Sequence, residues 1–226
     1  MDFAFFDRIN QAKREETDDW WNGMNRIYNV LCYDYLYPNP KSVMAFVENH
    51  DTDRFLGDGK DTLALKQALA LLLTINRTPQ LYYGTEVLMN GTKSVTDGNV
   101  RKDFPGGWAD DKQNAFTAEG RTKAQNDMFR WTSRLLHWRQ GNEVITKGTQ
   151  TQFCTHKGIY VVARQYKGKS VMTVINGKKE AAELDVKRYA EIIGDAQKAV
   201  DVTTGCNVVI SHNVKLRPRQ TMVLEF

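Results

Sequence analysis

Histidine and cysteine are scarce in this chain of 226 residues, with four and three copies, and long apolar runs are absent. The cysteines Cys32, Cys154 and Cys206 lie far apart, with no CxxC spacing and no paired histidine. A metal site is therefore not expected, and an odd count argues against a complete disulfide framework; three buried thiols are the expectation. No stretch approaches the ~18 apolar residues that span a bilayer, so no membrane partner is expected. The first residues, Met1 to Asp7, are short and acidic, unlike a signal peptide. If further sequence precedes them, the missing signal says nothing about compartment. An excess of one charge is also lacking: 31 basic residues face 27 acidic ones, for a net +4. The densest basic groups, Lys178-Lys179 and Lys167-Gly168-Lys169, look like turns between strands, whereas nucleic acid would want a clustered basic face.

What is present is a globular composition, 41% hydrophobic and 26% charged, with no internal repeat and no low-complexity segment. Residues up to about 140 alternate strand-like and helix-like pieces. Asp2–Phe6 reads as a brief strand. From Thr17, a good N-cap, the positions Trp20, Trp21, Met24, Ile27, Tyr28 and Leu31 recur at helical period, which predicts core packing for the aromatic cluster that includes Tyr33. Tyr37-Pro38-Asn39-Pro40 stops that helix, and Val43–Val47 reads as a strand. A second helix starts at Asp61 or Thr62 and is apolar on most of its circumference, which predicts burial. Thr78-Pro79 should end that segment, and Gln80–Tyr83 reads as the next strand. A third helix, about 121–139, aligns Met128, Trp131, Leu135 and Trp138 before Gly141, with His137 and Trp138 expected to pack against the β-rich remainder of the chain. Strands and helices at this spacing imply parallel βαβ units. After Gly141, short runs separated by Lys-Gly turns (151–155, 159–166, 171–176, 182–185, 200–202, 208–210 and 222–226) predict an antiparallel sheet or sandwich. The domains are placed at 1–143 and 144–226.

The most informative stretch is Phe46-Val47-Glu48-Asn49-His50-Asp51-Thr52-Asp53-Arg54-Phe55. A β-run delivers an amide, an imidazole and a carboxylate to its C-terminal end, where chemistry sits in parallel α/β barrels. These groups can hold a sugar and stabilise positive charge on it. A closed (β/α)₈ barrel needs about 250 residues; about 140 with three parallel strands can supply only part of one.

Phe46-Val47-Glu48-Asn49-His50-Asp51 resembles the strand-seven motif of the α-amylase family of glycoside hydrolases. Pro79-Gln80-Leu81-Tyr82-Tyr83-Gly84-Thr85-Glu86 is similar to its strand-eight motif, and Arg54-Phe55 with Arg101-Lys102-Asp103-Phe104-Pro105-Gly106-Gly107-Trp108 resembles the neopullulanase and cyclomaltodextrinase branch. The resemblance implies the last strands, six to eight, of a TIM barrel followed by an antiparallel β-sandwich. It implies retaining cleavage of α-1,4-glucans, with no cofactor and no metal at these residues. Asp51 would be the third carboxylate, holding ring hydroxyls as the sugar distorts toward an oxocarbenium-like transition state. His50 would bond the same sugar, Asn49 would stand behind them, and Arg54, Arg101 and Asp103 are further substrate-binding candidates. A periplasmic or secreted location follows by resemblance only.

The family's nucleophile Asp lies on strand four beside an Arg and its acid Glu on strand five, and neither has a counterpart here. The expected partner is thus a missing N-terminal barrel half in a longer parent chain, and the chain alone is expected to be inactive. A non-catalytic carbohydrate-binding or scaffold protein is the alternative. Individual residues also have plainer readings. Asp51 could be a turn residue, Arg54 could pair with Asp51 or Asp53, Asp103 could pair with Arg101, and Glu86 reads as a structural carboxylate.

Overall fold

The computed structural model describes residues 1–16 and 19–226. Its first element is a helix rather than the expected strand: α1, Phe3–Ala12. Asp2 decides this locally, because its Oδ1 accepts the Phe5 amide at 2.9 Å and caps the first turn. Phe5, Ile9 and Ala12 then fall on one buried face. The Asp2 amide reaches the carbonyl of Met44 at 2.8 Å, and its carboxylate is buried against Arg77, 2.9 Å away.

The N-cap expected at Thr17 lies outside the described residues. Trp20 and Trp21 are 51% and 71% exposed, not core. Gly23 explains the difference. It sits at φ +57°, a conformation no helix passes through, so α2 begins only at Asn25 and runs to Leu31. The Glu15 carboxylate fixes this break by accepting the Gly23 amide and the Arg26 guanidinium. A 3₁₀ turn, Cys32–Leu36, comes next and leaves Tyr33 and Tyr35 exposed. Nor are the cysteines buried: Cys32 and Cys206 are exposed and Cys154 is half-buried.

Strand β1, Met44–Ala45, pairs in parallel with β2, Thr78–Pro79. Thr78-Pro79 is thus the strand itself and not the end of the helical segment, which stops at Thr74, and residues 80–83, expected as the strand, form the turn beyond it. Proline is tolerated because the ladder donors come from either side of it, Thr78 to Val43 at 3.1 Å and Gln80 to Ala45 at 2.8 Å. Between the two strands runs α3, Thr62–Thr74, capped by Asp61. Every residue from Ala64 to Thr74 except Lys66 is buried, as its all-round apolar pattern predicts. Beyond β2 lies a long irregular segment, interrupted by the short helix α4, Asp97–Val100. Helix α5, Lys123–Arg139, opens with a full capping box between Thr122 and Gln125 and ends at Gly141, φ +82°. Met128, Trp131 and Leu135 are buried.

After α6, Glu143–Lys147, the chain is antiparallel. Strands β3 (Thr149–His156), β4 (Ile159–Tyr166) and β5 (Lys169–Asn176) form a meander. Its turns carry Lys157-Gly158 and Lys167-Gly168, all four residues at positive φ, the backbone that two-residue hairpins demand. Then come β6 (Ala182–Asp185), α7 (Ala190–Ile193), β7 (Lys198–Asp201), β8 (Cys206–Val209), β9 (Asn213–Leu216) and β10 (Thr221–Glu225). Six strands join in the order β3-β4-β5-β10-β7-β8, and β6 pairs with β9 separately. Strand β9 and helix α7 are not predicted from the sequence, because Asn213-Val214-Lys215-Leu216 and Ala190-Glu191-Ile192-Ile193 are too short to declare a period.

Two cores result. One lies between the large sheet and the β6–β9 pair, around Val161, Met172, Leu184, Tyr189 and Leu224. The other joins the helices to the opposite face of that sheet, through Leu69, Leu72, Trp131, Val162, Ile175 and Val223. Polar ties cross the same seam: Gln67 donates to Asn176 and Arg219 carbonyls, and Arg164 to those of Thr74 and Gly148. Helix α3 is therefore anchored from the sheet side, and with it the strands that present the candidate site.

Candidate active site

Beyond β1 the chain stays buried through Phe46, Val47, Glu48 and Asn49, then turns sharply outward. Asn49 makes the turn. Its side-chain oxygen accepts the Asp51 amide at 2.8 Å, while its own amide donates to Thr52 Oγ1 at 2.9 Å. This throws His50 and Asp51 into solvent with 57% and 58% of their side chains exposed, and His50 Nε2 lies 3.2 Å from Asp51 Oδ2. Asn49 thus lies buried behind the pair and shapes the turn that carries it.

The long loop closes onto this pair. Arg101 donates Nε to the His50 carbonyl at 2.9 Å and approaches Asp51 Oδ1 at 3.2 Å and Asp97 Oδ2 at 3.4 Å. Lys93 reaches the Asp51 carbonyl at 3.2 Å and Asp97 at 3.4 Å, and its amide donates to Asp53 at 2.7 Å. Residues about fifty positions apart are so brought to one point. Lys93 and Asp97 were not among the expected site residues; a Gly- and Asn-rich loop carries no periodicity that would have singled them out. Asp103 is exposed nearby, but the carboxylate partners of Arg101 are Asp51 and Asp97, so the Arg101–Asp103 pairing is not formed.

Arg54 corrects the expectation for it. It is 1% exposed and pairs with neither Asp51 nor Asp53. Its Nη1 lies 3.3 Å from Glu48 Oε1 and donates to the Tyr83 carbonyl at 2.6 Å, while its Nε donates to the Val100 carbonyl at 2.9 Å. Its guanidinium stacks over Tyr82 and Tyr83 at 4.0 and 4.8 Å. Glu48 in turn accepts the Phe55 amide and the Thr85 hydroxyl. One buried ion pair thereby pins three segments together beneath the site: the loop after β1, the turn after β2, and the end of α4. Arg54 is almost wholly enclosed by these partners. Glu48 was missed as well, although a carboxylate that directly follows a buried apolar run is itself a signal of a buried partner.

Two further titratable groups flank this layer. Lys13, on the chain just after α1, lies 4.0 Å over the Phe55 ring and donates to Asn10 Oδ1 at 2.9 Å; burial lowers its pKa to about 8. It lines a cleft of about 680 Å³ that runs past Phe6, Asn10, Asp51, Asp53 and Lys93. Glu86 sits in the 3₁₀ turn Thr85–Val87, half-buried, and burial pushes its carboxyl above the usual range although backbone amides of Glu86 and Gly84 oppose the shift. With Tyr82, Tyr83, Phe129 and His137 it lines a second cavity, of about 380 Å³. His137 is thus exposed beside this cavity and not packed on the β-sheet, whereas Trp138 does pack on the shared core.

The arrangement can accept hydrogen bonds at Asp51, exchange them at His50, and place positive charge from Arg101 and Lys93 around both. Such groups can orient a polyhydroxylated ligand and follow charge that develops on it.

Residues 150–225 match the profile of the cyclo-malto-dextrinase C-terminal domain. A cyclomaltodextrin glucanotransferase of Paenibacillus macerans is 24% identical over 225 residues, covering 94% of this chain and 28% of that enzyme. An α-amylase of Niallia circulans is 26% identical over 219 residues, covering 93% and 38% respectively. The structure superposes on an α-amylase from Geobacillus thermoleovorans complexed with acarbose, with a TM-score of 0.76 and 20% identity, over 100% of this chain and 47% of that one. A cyclic α-maltosyl-(1→6)-maltose hydrolase from Arthrobacter globiformis gives 0.71 and 19%, over 100% and 44%. The chain therefore spans less than half the length of each of these relatives. The expected resemblance to α-amylase-family enzymes is matched at this level: residues 150–225 fit the cyclo-malto-dextrinase C-terminal domain, and most of the chain is similar in sequence to cyclomaltodextrin glucanotransferases and to an α-amylase.

Proposed function

We propose that the chain is the C-terminal portion of a retaining α-glucan hydrolase of the neopullulanase or cyclomaltodextrinase type, acting on cyclodextrins, maltooligosaccharides or pullulan. Residues 1–143 would be the closing part of its (β/α)₈ barrel and 144–226 its C-terminal β-domain. The observation that supports this best is the His50–Asp51 pair thrown outward at the end of a parallel strand, with Arg101 closing over it from the long loop. Asp51 would hold ring hydroxyls of the sugar being cleaved, and His50 would bond the same ring. These contacts tighten as positive charge grows at the anomeric carbon, which is worth several kcal/mol in such enzymes. Asn49 and the Glu48–Arg54 pair would position them.

Retention also needs two carboxyl groups about 5–5.5 Å apart, one attacking and one donating the proton. Neither role suits Asp51, which is held between His50 and Arg101. The remaining barrel half would bring both, so the 226-residue chain alone would not cleave glucans. A non-catalytic carbohydrate-binding protein on the same fold would keep Asp51 and His50 for binding alone.

The test is calorimetric titration of the purified chain and of Asp51→Asn with maltoheptaose. Binding that weakens about tenfold or more in the variant, the worth of a lost charged hydrogen bond, supports a sugar site at Asp51; identical isotherms would remove it. The reading frame upstream of Met1 separates the two readings. Several hundred further codons carrying an Arg-x-Asp motif and a strand-borne Glu favour the enzyme, and a start at Met1 favours binding.

A further inference from the structure

The cleft of about 680 Å³ that takes in Asp51 and Asp53 runs on to Phe6 and Asn10 of α1, and its size is that of a small-molecule site. Phe6 is the aromatic residue on its wall. Its ring is half-buried and stacks at 5.2 Å and 20° on the ring of Phe46, which is wholly buried. Phe3 stands edge-on to both, at 6.3 and 5.1 Å. One face of Phe6 is thus covered by Phe46, and from that position the residue borders the cleft. Asn10 holds the arrangement in place, because its Nδ2 donates to the carbonyls of Phe6 and of Val47, both at 3.0 Å. Helix α1 is thereby tied to the segment that carries Asn49, His50 and Asp51. Phe6 and the His50–Asp51 pair are mounted on one frame.

The charges on the walls say what kind of ligand suits the cleft. Asp7, Asp51, Asp53 and Asp58 face Lys13, Arg14 and Lys93. The remaining cation on the wall, Arg54, is already paired with Glu48 behind it. Four carboxylates against three free cations leave the cleft one charge from balance, with no excess that would select an ion. Donors and acceptors stand there in similar numbers. A neutral ligand with many hydroxyl groups can use both kinds, because each hydroxyl donates once and accepts at its lone pairs.

Resting on the reading of Asp51 as a sugar contact, we propose that Phe6 is the stacking platform for another glucose unit of the same α-glucan chain that His50 and Asp51 hold. The C–H face of a pyranose ring is flat and apolar, so laying it on Phe6 removes apolar surface of both from water. Its hydroxyls then project sideways toward the carboxylates and cations of the walls. The cleft so engages a chain of sugars and not a single unit, and Phe6 sets how strongly the longer chain is preferred.

The experiment is calorimetric titration of the full 226-residue chain with maltoheptaose, in the wild type and in Phe6→Leu, Phe6→Met, Phe6→Tyr and Asp51→Asn, with a melting curve for each. Leucine and methionine keep the apolar bulk over Phe46 without a flat face, whereas tyrosine keeps the face. Phe6→Leu and Phe6→Met should weaken binding about threefold to tenfold at a wild-type melting profile, and Phe6→Tyr should keep the wild-type affinity. Binding weakened in Asp51→Asn but unchanged in Phe6→Leu and Phe6→Met overturns the platform and leaves the sugar site at Asp51 standing. An equal loss in Phe6→Tyr also overturns it, since that marks a packing role. No saturable binding by the wild type, or binding unchanged in Asp51→Asn, removes the sugar site and the platform with it.

Discussion

Replacing Arg54 by methionine separates a supporting role from a sugar-contacting one. Methionine keeps most of the side-chain volume but strips the cation from beneath Tyr82 and Tyr83 and leaves Glu48 buried at 2% exposure without its charge partner. The Val100 and Tyr83 carbonyls lose their donors as well. Breaking a buried pair by removing one partner costs about 3–5 kcal/mol, mostly the stranded charge. For a chain of this size each kcal/mol moves the midpoint by roughly 2–4 °C, so Tm should fall by about 10 °C. Urea unfolding followed by tryptophan fluorescence and by calorimetry reads both quantities. The double variant Glu48→Gln/Arg54→Met should recover a large part of the loss, because it no longer buries a lone carboxylate. A single-variant loss under about 1 kcal/mol, or a double variant no better than the single, would refute the view that this pair holds the site's three segments together.

Other outcomes are expected from the same layer and its neighbours. Lys13 has a folded pKa of about 8 against 10.5 unfolded, so stability carries its full penalty below pH 8 and recovers as pH rises toward 10.5. Lys13→Met should therefore stabilise the chain by about 1–2 kcal/mol at pH 7, a gain that vanishes near pH 10.5 in parallel melting curves. Glu86 has its carboxyl raised by burial, so its contribution is intact below the unfolded value near 4.5 and is lost as pH rises through the folded one. Glu86→Gln should accordingly raise Tm at pH 7 and leave it unchanged at pH 4. Thr122→Ala removes the capping box that opens α5 and should cost about 1 kcal/mol in urea unfolding; an unchanged midpoint would mean the first turn is held by packing alone.

The parts legible from sequence are those fixed by local chemistry. Asp61 announces α3 because a cap precedes an apolar run there, and the alignment of Met128, Trp131 and Leu135 announces α5. The Asn49 turn is legible because amide, imidazole and carboxylate stand together after an apolar run, and the Lys-Gly hairpins because few other pairs tolerate two positive φ angles. Where sequence misled, a local rule was outvoted. Trp20 and Trp21 keep helical spacing, but Gly23 breaks the helix before they can share its face. Phe3-Ala4-Phe5-Phe6 suits a strand by propensity, yet Asp2 caps it into a helix. Pro79 signals an end, but the parallel ladder skips its nitrogen. The pairing of Arg101 with Asp51 and of Arg54 with Glu48 rests on loop closure across the fold, which no periodicity encodes.

The central claim is that Asp51 belongs to a sugar site whose attacking and proton-donating carboxyl groups lie outside these 226 residues. Reducing-sugar release from maltoheptaose and cyclomaltodextrin by the purified chain, measured against Asp51→Asn, tests it most directly. Neither protein should release sugar above background. Release by the wild type that is lost in Asp51→Asn would mean that a nucleophile and an acid are present within the chain, and would contradict the claim.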